Sequence, residues 1–358
     1  MKKKNKAIYL LFLMPFVYFA TACFVVWLVK TSGIYPSGSD TMYHVYRGDY
    51  VYNAIKSGNW YPLYDPAWYN GVEILRYWSP FPAYVMAFCQ YLAGGSQFGA
   101  YLFYIGGVCF LGACVWPFIG RGFNRPYLGA FIGLLWFFMP NNLCAIFIEG
   151  NLARSLSMIF LPVFIYSVYK YLYNHKLRYI PLMVFTFLLM ELCHLGYAGM
   201  VAIAVIIYGI VYMIQKGRKK AVLDVVISMI FGFMLLGIWL VASLRGGITS
   251  LDNSENMANF FQNLWITINP FERLTRGFEY FYFGFATLIV IVFGILFGYK
   301  KSRTGFVTGF IILLMTTKSA YAVLKHLPGS QYLWMLRFIS IALCMILMSF
   351  LMWDRLKK

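Results

Sequence analysis

Met1-Lys2-Lys3-Lys4-Asn5-Lys6 leads into Ala7 to Val29, AIYLLFLMPFVYFATACFVVWLV, a run with no charged residue. Wound as a helix at about 1.5 Å per residue, the run covers about 35 Å, against about 30 Å for the hydrocarbon core of a bilayer. A basic cluster before an apolar stretch also opens a secretory signal, and Ala20-Thr21-Ala22-Cys23 faintly resembles a lipoprotein cleavage site. The run is too long for a signal core and lacks leucine three residues before the cysteine, so it reads as an uncleaved first membrane helix.

The rest of the chain follows the same pattern. Of 358 residues, 61% are hydrophobic, 20% aromatic and 12% charged, and the mean hydropathy is +0.68. A soluble domain carries about 25% charged residues, so composition predicts an all-α, polytopic membrane protein and excludes a soluble enzyme or a disordered chain. Seven cysteines, Cys23, Cys89, Cys109, Cys114, Cys144, Cys193 and Cys344, are scattered through apolar stretches and read as buried thiols.

Apolar runs between basic clusters predict about ten spans, near 7–29, 98–119, 127–147 with a kink at Pro140, 155–173, 179–193, 196–214, 221–244, 280–299, 304–324 and 337–353. The thirteen residues 81–93 are too few to cross and are assigned to an interfacial or re-entrant helix. Residues 179–215 read as a hairpin of two short helices turning at His194-Leu195-Gly196. The chain is taken as one transmembrane domain, 1–358, with outer loops at 30–97 and 245–279.

Net charge is +18, which in a soluble protein would suggest a nucleic-acid partner. With both termini cytoplasmic, the inner loops hold nineteen Lys and Arg against two acids, Asp224 and Asp354, and the outer side holds eleven bases against ten acids. The excess is the positive-inside signature, and no nucleic acid is needed to explain it. Nothing about insertion demands acids outside, so their concentration there points to an outward-facing site.

Four outer segments carry candidate chemistry. In Ser37-Gly38-Ser39-Asp40-Thr41-Met42-Tyr43-His44-Val45-Tyr46-Arg47-Gly48-Asp49, Ser39 or Asp40 suits a cap and Gly58 a stop, which predicts a surface helix over 41–57. Asp40, His44 and Arg47 then share one face while Asp49 points away. Carboxylate, imidazole and guanidinium on one stripe suit general-base and anion-binding work; a plain helix cap explains Asp40 equally well. An aromatic stretch follows, with Trp60, Tyr61, Tyr64, Trp68, Tyr69, Tyr77, Trp78, Phe81 and Tyr84. It reads first as an interfacial belt, and secondly as a wall for a lipid chain or a sugar face.

Glu149-Gly150-Asn151-Leu152-Ala153-Arg154 joins two apolar helices, and its charges beside hydrocarbon need partners. They pair with each other or contact a substrate, and spacing leaves both readings open. Glu191 and His194 are i, i+3 neighbours near the end of a buried helix. Arg337, in Trp334-Met335-Leu336-Arg337-Phe338, either snorkels to headgroups or holds a lipid-linked phosphate.

Taken together, the Asp-x-x-x-His at 40–44, the aromatic outer loop, Glu149 to Arg154 leading into Phe160-Leu161-Pro162, His194 in an apolar hairpin, and Trp334-x-x-Arg337-Phe338 resemble a bacterial membrane family. It is the one labelled 6-pyruvoyl-tetrahydropterin synthase-related, which in turn looks like a branch of the GT-C superfamily of integral-membrane glycosyltransferases. The resemblance implies transfer of a sugar from a polyprenyl-phosphate donor on the outer face of a bacterial plasma membrane, in assembly of the cell envelope. It implies Asp40 as general base, Arg337 with Arg154 or Arg47 on the departing phosphate, and His44, Glu149 and His194 as further substrate contacts. No cofactor and no metal are expected, because the chain lacks the tight Asp-x-Asp of metal-dependent relatives. Membrane lipid is an expected partner. The chain stops one helix after Arg337, where relatives continue, and reads as a minimal member, a fragment, or a subunit whose acceptor site lies in a partner. A flippase or transporter of lipid-linked sugars, and a non-catalytic membrane subunit, are the competing readings.

Overall fold

The computed structural model describes residues 2–68, 70–245, 285–327 and 334–353. The expected second outer loop, 245–279, lies almost wholly outside the described residues, as do residues 328–333 just before the Arg337 segment. Among the described residues every regular element is helical, and the only pairing of extended chain is an isolated antiparallel bridge between Asp65 and Val72.

In chain order the helices are α1 (Lys2–Ser32), α2 (Thr41–Lys56), α3 (Phe81–Leu92), α4 (Gln97–Gly122), α5 (Pro126–Trp136), α6 (Pro140–Phe147), α7 (Leu152–Asn174), α8 (Tyr179–Cys193), α9 (Leu195–Lys216), α10 (Lys219–Leu235), α11 (Gly237–Arg245), α12 (Phe285–Phe297), α13 (Lys300–Met315), α14 (Lys318–Leu324) and α15 (Phe338–Leu351). A 3-10 turn, Met335–Arg337, precedes α15.

Among the described residues four helices are long and apolar enough to cross a membrane: α1 over Phe12–Ser32, α4, α7 and α9. The number rises to six if α5 with α6, and α10 with α11, each count as one broken span. Pro140 stands at the first position of α6, where it has no amide hydrogen to donate, and α5 and α6 meet at 42°. The stretch read as one span over 221–244 is interrupted at Leu236, just before Gly237, a weak helix former. The stretch 304–324 breaks at Thr316-Thr317, where Thr317 Oγ1 caps α14 by accepting the Ala320 amide.

Membrane character shows in what is exposed. Phe16, at 74% exposure, stands with Phe12, Phe19, Phe24 and Trp27 on a bare face of α1, an apolar surface that only lipid or another apolar partner covers at low cost. Cys23 lies on α1 and is exposed too, so the expectation that every thiol is buried fails there: the helix presents it outward. At twelve residues, α3 is about 18 Å long, too short to cross, and it exposes Phe88, Tyr91 and Leu92.

The chain forms two compact units. The first comprises Met1–Phe160, Leu188–Leu195 and Phe233–Ile248. Within it α4 packs on α1, α3 and α5. A side chain at Gly129 would meet the Trp116 carbonyl oxygen at 2.5 Å and Gly120 Cα at 2.8 Å, so the α4 and α5 backbones touch as small-residue crossings allow. Over α2 and α3 lies a small separate core of Val51, Ile74, Leu75, Ala83 and Ala87. Tyr46 Oη donates to Asp65 Oδ2 at 2.6 Å, and Tyr84 Oη to the Trp60 carbonyl at 2.7 Å, pinning the 57–80 segment onto those helices.

The second unit comprises Leu161–Phe187, Gly196–Gly232 and Thr249–Lys358. There α13 packs between α12 and α15, and Tyr197 Oη and Ser340 Oγ share a hydrogen bond of 2.8 Å.

Candidate functional site

The site forms where the first turn of α2 docks against the turn between α6 and α7. Ser39 and Asp40 donate their backbone amides to the carbonyls of Ile148 and Glu149, at 3.2 and 2.9 Å, and Ser39 Oγ donates to the Glu149 carbonyl at 2.9 Å. Two glycines make this approach possible. A Cβ on Gly38 would fall 2.7 Å from Gly150 Cα; Gly150 itself has φ +63°, with Thr41 against it.

Asp40 occupies the N-cap position of α2, yet its side chain makes no capping bond. Ser39 Oγ donates to Asp40 Oδ1 at 3.3 Å. Of the two readings left open by spacing, cap and reactive carboxylate, the first is therefore not the one the side chain adopts.

One and two turns on, Arg47 Nη2 donates to His44 Nδ1 at 2.8 Å. A ring nitrogen that accepts from a guanidinium carries no proton, so His44 is held neutral with its proton on Nε2, a donor tautomer. Arg47 is 5% exposed, with its guanidinium carbon 4.7 Å from the Tyr43 ring centroid and 5.1 Å from that of Trp78. Burial pushes its pKa down to about 10, against the opposing pull of Tyr43 and Asp40. It remains a cation at neutral pH, in surroundings that strengthen its field. Its Nε finds no acceptor among the described residues.

The aromatic stretch divides in two. Trp60, Tyr61 and Tyr64 are exposed, as a belt would be. Trp68 and Trp78 lie nearly parallel with centroids 6.2 Å apart, and Tyr43 meets both edge-on at 4.3 and 5.1 Å, making one wall beside Arg47. Asp49 is used structurally, accepting from Gln90 Nε2 at 2.6 Å.

Glu149 and Arg154 pair with each other: Arg154 Nη2 donates to Glu149 Oε1 at 2.8 Å, and Arg154 is fully buried. Arg154 Nε and Nη1 find no acceptor among the described residues. Asn151 ties the turn together. Its Oδ1 accepts the Arg154 amide at 2.9 Å, capping α7, and its Nδ2 lies 3.5 Å from His194 Nε2. His194 is the single residue between α8 and α9. Glu191 is buried, and its carbonyl accepts from Ser79 Oγ at 2.9 Å.

The structure thus gathers Asp40, His44, Arg47, Glu149, Arg154 and His194 in the first unit. Arg337 belongs to the second, where its guanidinium stacks 4.5 Å from the Trp334 ring at 9% exposure, a buried placement rather than a snorkelling one. Two contributors went unread in the sequence. Asn151 carries a signal, since an Asn three residues before an interior position is a helix-cap spacing. Tyr104, whose hydroxyl donates to the Leu152 carbonyl at 2.9 Å and which lies within electrostatic reach of Arg47, carries none: it is one of 29 tyrosines. Among the described residues no three His, Cys, Asp or Glu gather closely enough to hold a metal ion.

Residues 75–358 match a family model described as a 6-pyruvoyl-tetrahydropterin synthase related domain, a membrane protein. The match begins after α2, so Asp40, His44 and Arg47 precede it. No curated protein matches the chain, and no solved structure does.

Proposed function

The chain belongs to the 6-pyruvoyl-tetrahydropterin synthase related family of membrane proteins, and from that premise we propose that it is a GT-C-like glycosyltransferase using a polyprenyl-phosphate sugar. The observation that carries the reading is Asp40: a carboxylate at a helix N-cap that makes no capping bond, set one turn from a buried imidazole and two turns from a buried guanidinium.

In the proposed reaction the acceptor hydroxyl gives its proton to the Asp40 carboxylate as its oxygen bonds to the anomeric carbon. The bond from that carbon to the phosphate oxygen breaks, and the electron pair leaves with the polyprenyl phosphate. Charge builds on the phosphate, and Arg47, held cationic between Tyr43 and Trp78, is the group in this unit suited to stabilise it. His44, as an Nε2 donor, orients a sugar or phosphate oxygen. Glu149, Arg154 and Asn151 position the turn on which Asp40 rests, with His194 at its edge. We assign the remaining apolar segments to a ten-span topology with cytoplasmic termini in a bacterial plasma membrane, the site facing outward.

A second reading, a transporter of lipid-linked sugars, gains from the break between α5 and α6, because discontinuous helices flank the binding sites of many transporters.

Purified protein in liposomes with polyprenyl-phosphate sugars separates the two. With a hydroxyl-bearing glycan added as acceptor, or water in its place, the enzyme reading expects the sugar to pass to that hydroxyl and bare polyprenyl phosphate to accumulate, and expects Asp40→Asn to abolish both while the protein stays folded. Full turnover in that variant removes Asp40 from the mechanism, and movement of intact donor between leaflets without cleavage favours the transporter. The role the resemblance gives Arg337 is tested by stabilisation. A donor at 100 times its Kd adds about 2.7 kcal/mol to the folded state, and Arg337→Ala should lose that gain.

A further inference from the structure

Beside the site, α1, α3, α4 and the start of α7 enclose a cavity of about 1050 Å³, open on one side and walled by apolar side chains such as Val26 and Phe88. On α4 its lining runs from Phe98 to Leu111, about 20 Å at helical rise. That is the depth of one leaflet counted with its headgroup region, half of a bilayer of about 40–45 Å. Two polar side chains in the lining are already committed. Ser96 Oγ accepts the Gly99 amide at 3.0 Å, and Tyr104 donates to Leu152. Among the described residues the one charged member of the lining is Lys30, exposed in the last turn of α1. A water-soluble ligand would leave its own polar groups unmatched along such a wall, whereas a hydrocarbon chain would not.

We propose that this groove seats an anionic phospholipid, its acyl chains along α4 and its phosphate on Lys30. The charge of the single cation selects a headgroup of net negative charge over a zwitterionic one, and the apolar length selects a lipid over a free phosphate. Tyr104 is among the lining residues, and its hydroxyl holds the turn that carries the candidate site, so an occupied groove braces that turn from behind. The proposal does not depend on glycosyl transfer.

Native mass spectrometry of delipidated protein, re-equilibrated with phosphatidylglycerol, phosphatidylcholine, undecaprenyl phosphate or glycerol phosphate, tests it. Phosphatidylglycerol should be retained over phosphatidylcholine by about fivefold, the worth of one lysine near an anionic surface, and glycerol phosphate should not be retained. Lys30→Gln should remove the preference. Gly107→Leu should expel both phospholipids without unfolding the protein, because a Cβ at Gly107 meets nothing within 4 Å. Unchanged retention in Gly107→Leu, a preference that survives Lys30→Gln, or displacement of phosphatidylglycerol by an equimolar amount of undecaprenyl phosphate overturns the proposal. Asp40→Asn should leave lipid retention untouched, so failure of the glycosyltransferase reading and failure of this one are told apart.

Discussion

Arg154 is fully buried and meets one carboxylate oxygen of Glu149. Removing one partner of such a pair strands a charge in low dielectric and costs about 3–5 kcal/mol, whereas replacing both can be nearly neutral. Arg154→Met should therefore destabilise the protein by that amount, and the double variant with Glu149→Leu should recover most of it; equal losses in thermal melts of the two would show the pair is not what holds the turn. The neighbouring Gly150 adds a backbone constraint. Gly150→Ala forces a left-handed alanine, at about 1–2 kcal/mol, and drives its Cβ against Thr41. Transfer should then fall further than stability, because α2 and Asp40 shift with the turn. At this scale the sequence was half legible. Helical spacing put His44 and Arg47 on one face, and the bond between them follows from it. Spacing left cap and base equal for Asp40, and pairing and substrate contact equal for Arg154, because both choices turn on where a distant segment lies. The contact between residues 38–40 and 148–150 closes a loop of over a hundred residues, which no local pattern encodes.

Among elements, α2 and α3 with the segment between them share a small hydrophobic core within the first unit. Tyr46 Oη to Asp65 Oδ2 is one of its ties. That bond, then burial, pushes the Tyr46 phenol up to about 12. Below pH 10 both folded and unfolded phenols keep their protons. Between about 10 and 12 the unfolded phenol ionises while the folded one does not, so the folded state binds more protons and stability falls as pH rises. Tyr46→Phe should melt earlier at neutral pH yet show a flatter decline over that alkaline window. An equally steep decline would show that other phenols dominate it. Element boundaries were read well where a capping or breaking residue marks them: α8 over 179–193 falls where the apolar run predicts, and α6 begins at Pro140. The interruption at Leu236 has no signal in hydropathy, because the segment stays apolar through the break, whereas the polar run Thr316-Thr317-Lys318-Ser319 marks the other and is lost only when 304–324 is averaged as one span.

For the whole molecule, the strongest statement in the sequence is the division of charge, and it makes a prediction independent of chemistry. If the nineteen bases of the assigned inner loops lie in the cytoplasm, Ser57, just after α2, and Lys219, at the start of α10, stand on opposite sides. An impermeant maleimide applied to intact cells should label Ser57→Cys and spare Lys219→Cys, which should react only after permeabilisation. The seven native thiols do not confuse the comparison if the parent protein is blank under the same conditions: Cys23, although exposed, projects from an apolar helix, where a charged reagent does not reach. Labelling of both positions from outside would break the charge argument, since the rule concerns short loops and 217–218 is among the shortest here. The reverse pattern, Lys219→Cys labelled and Ser57→Cys protected, would turn the candidate site toward the cytoplasm. A donor carried in the outer leaflet could then not reach Asp40, and the glycosyltransferase reading would need a cytoplasmic lipid-linked sugar instead.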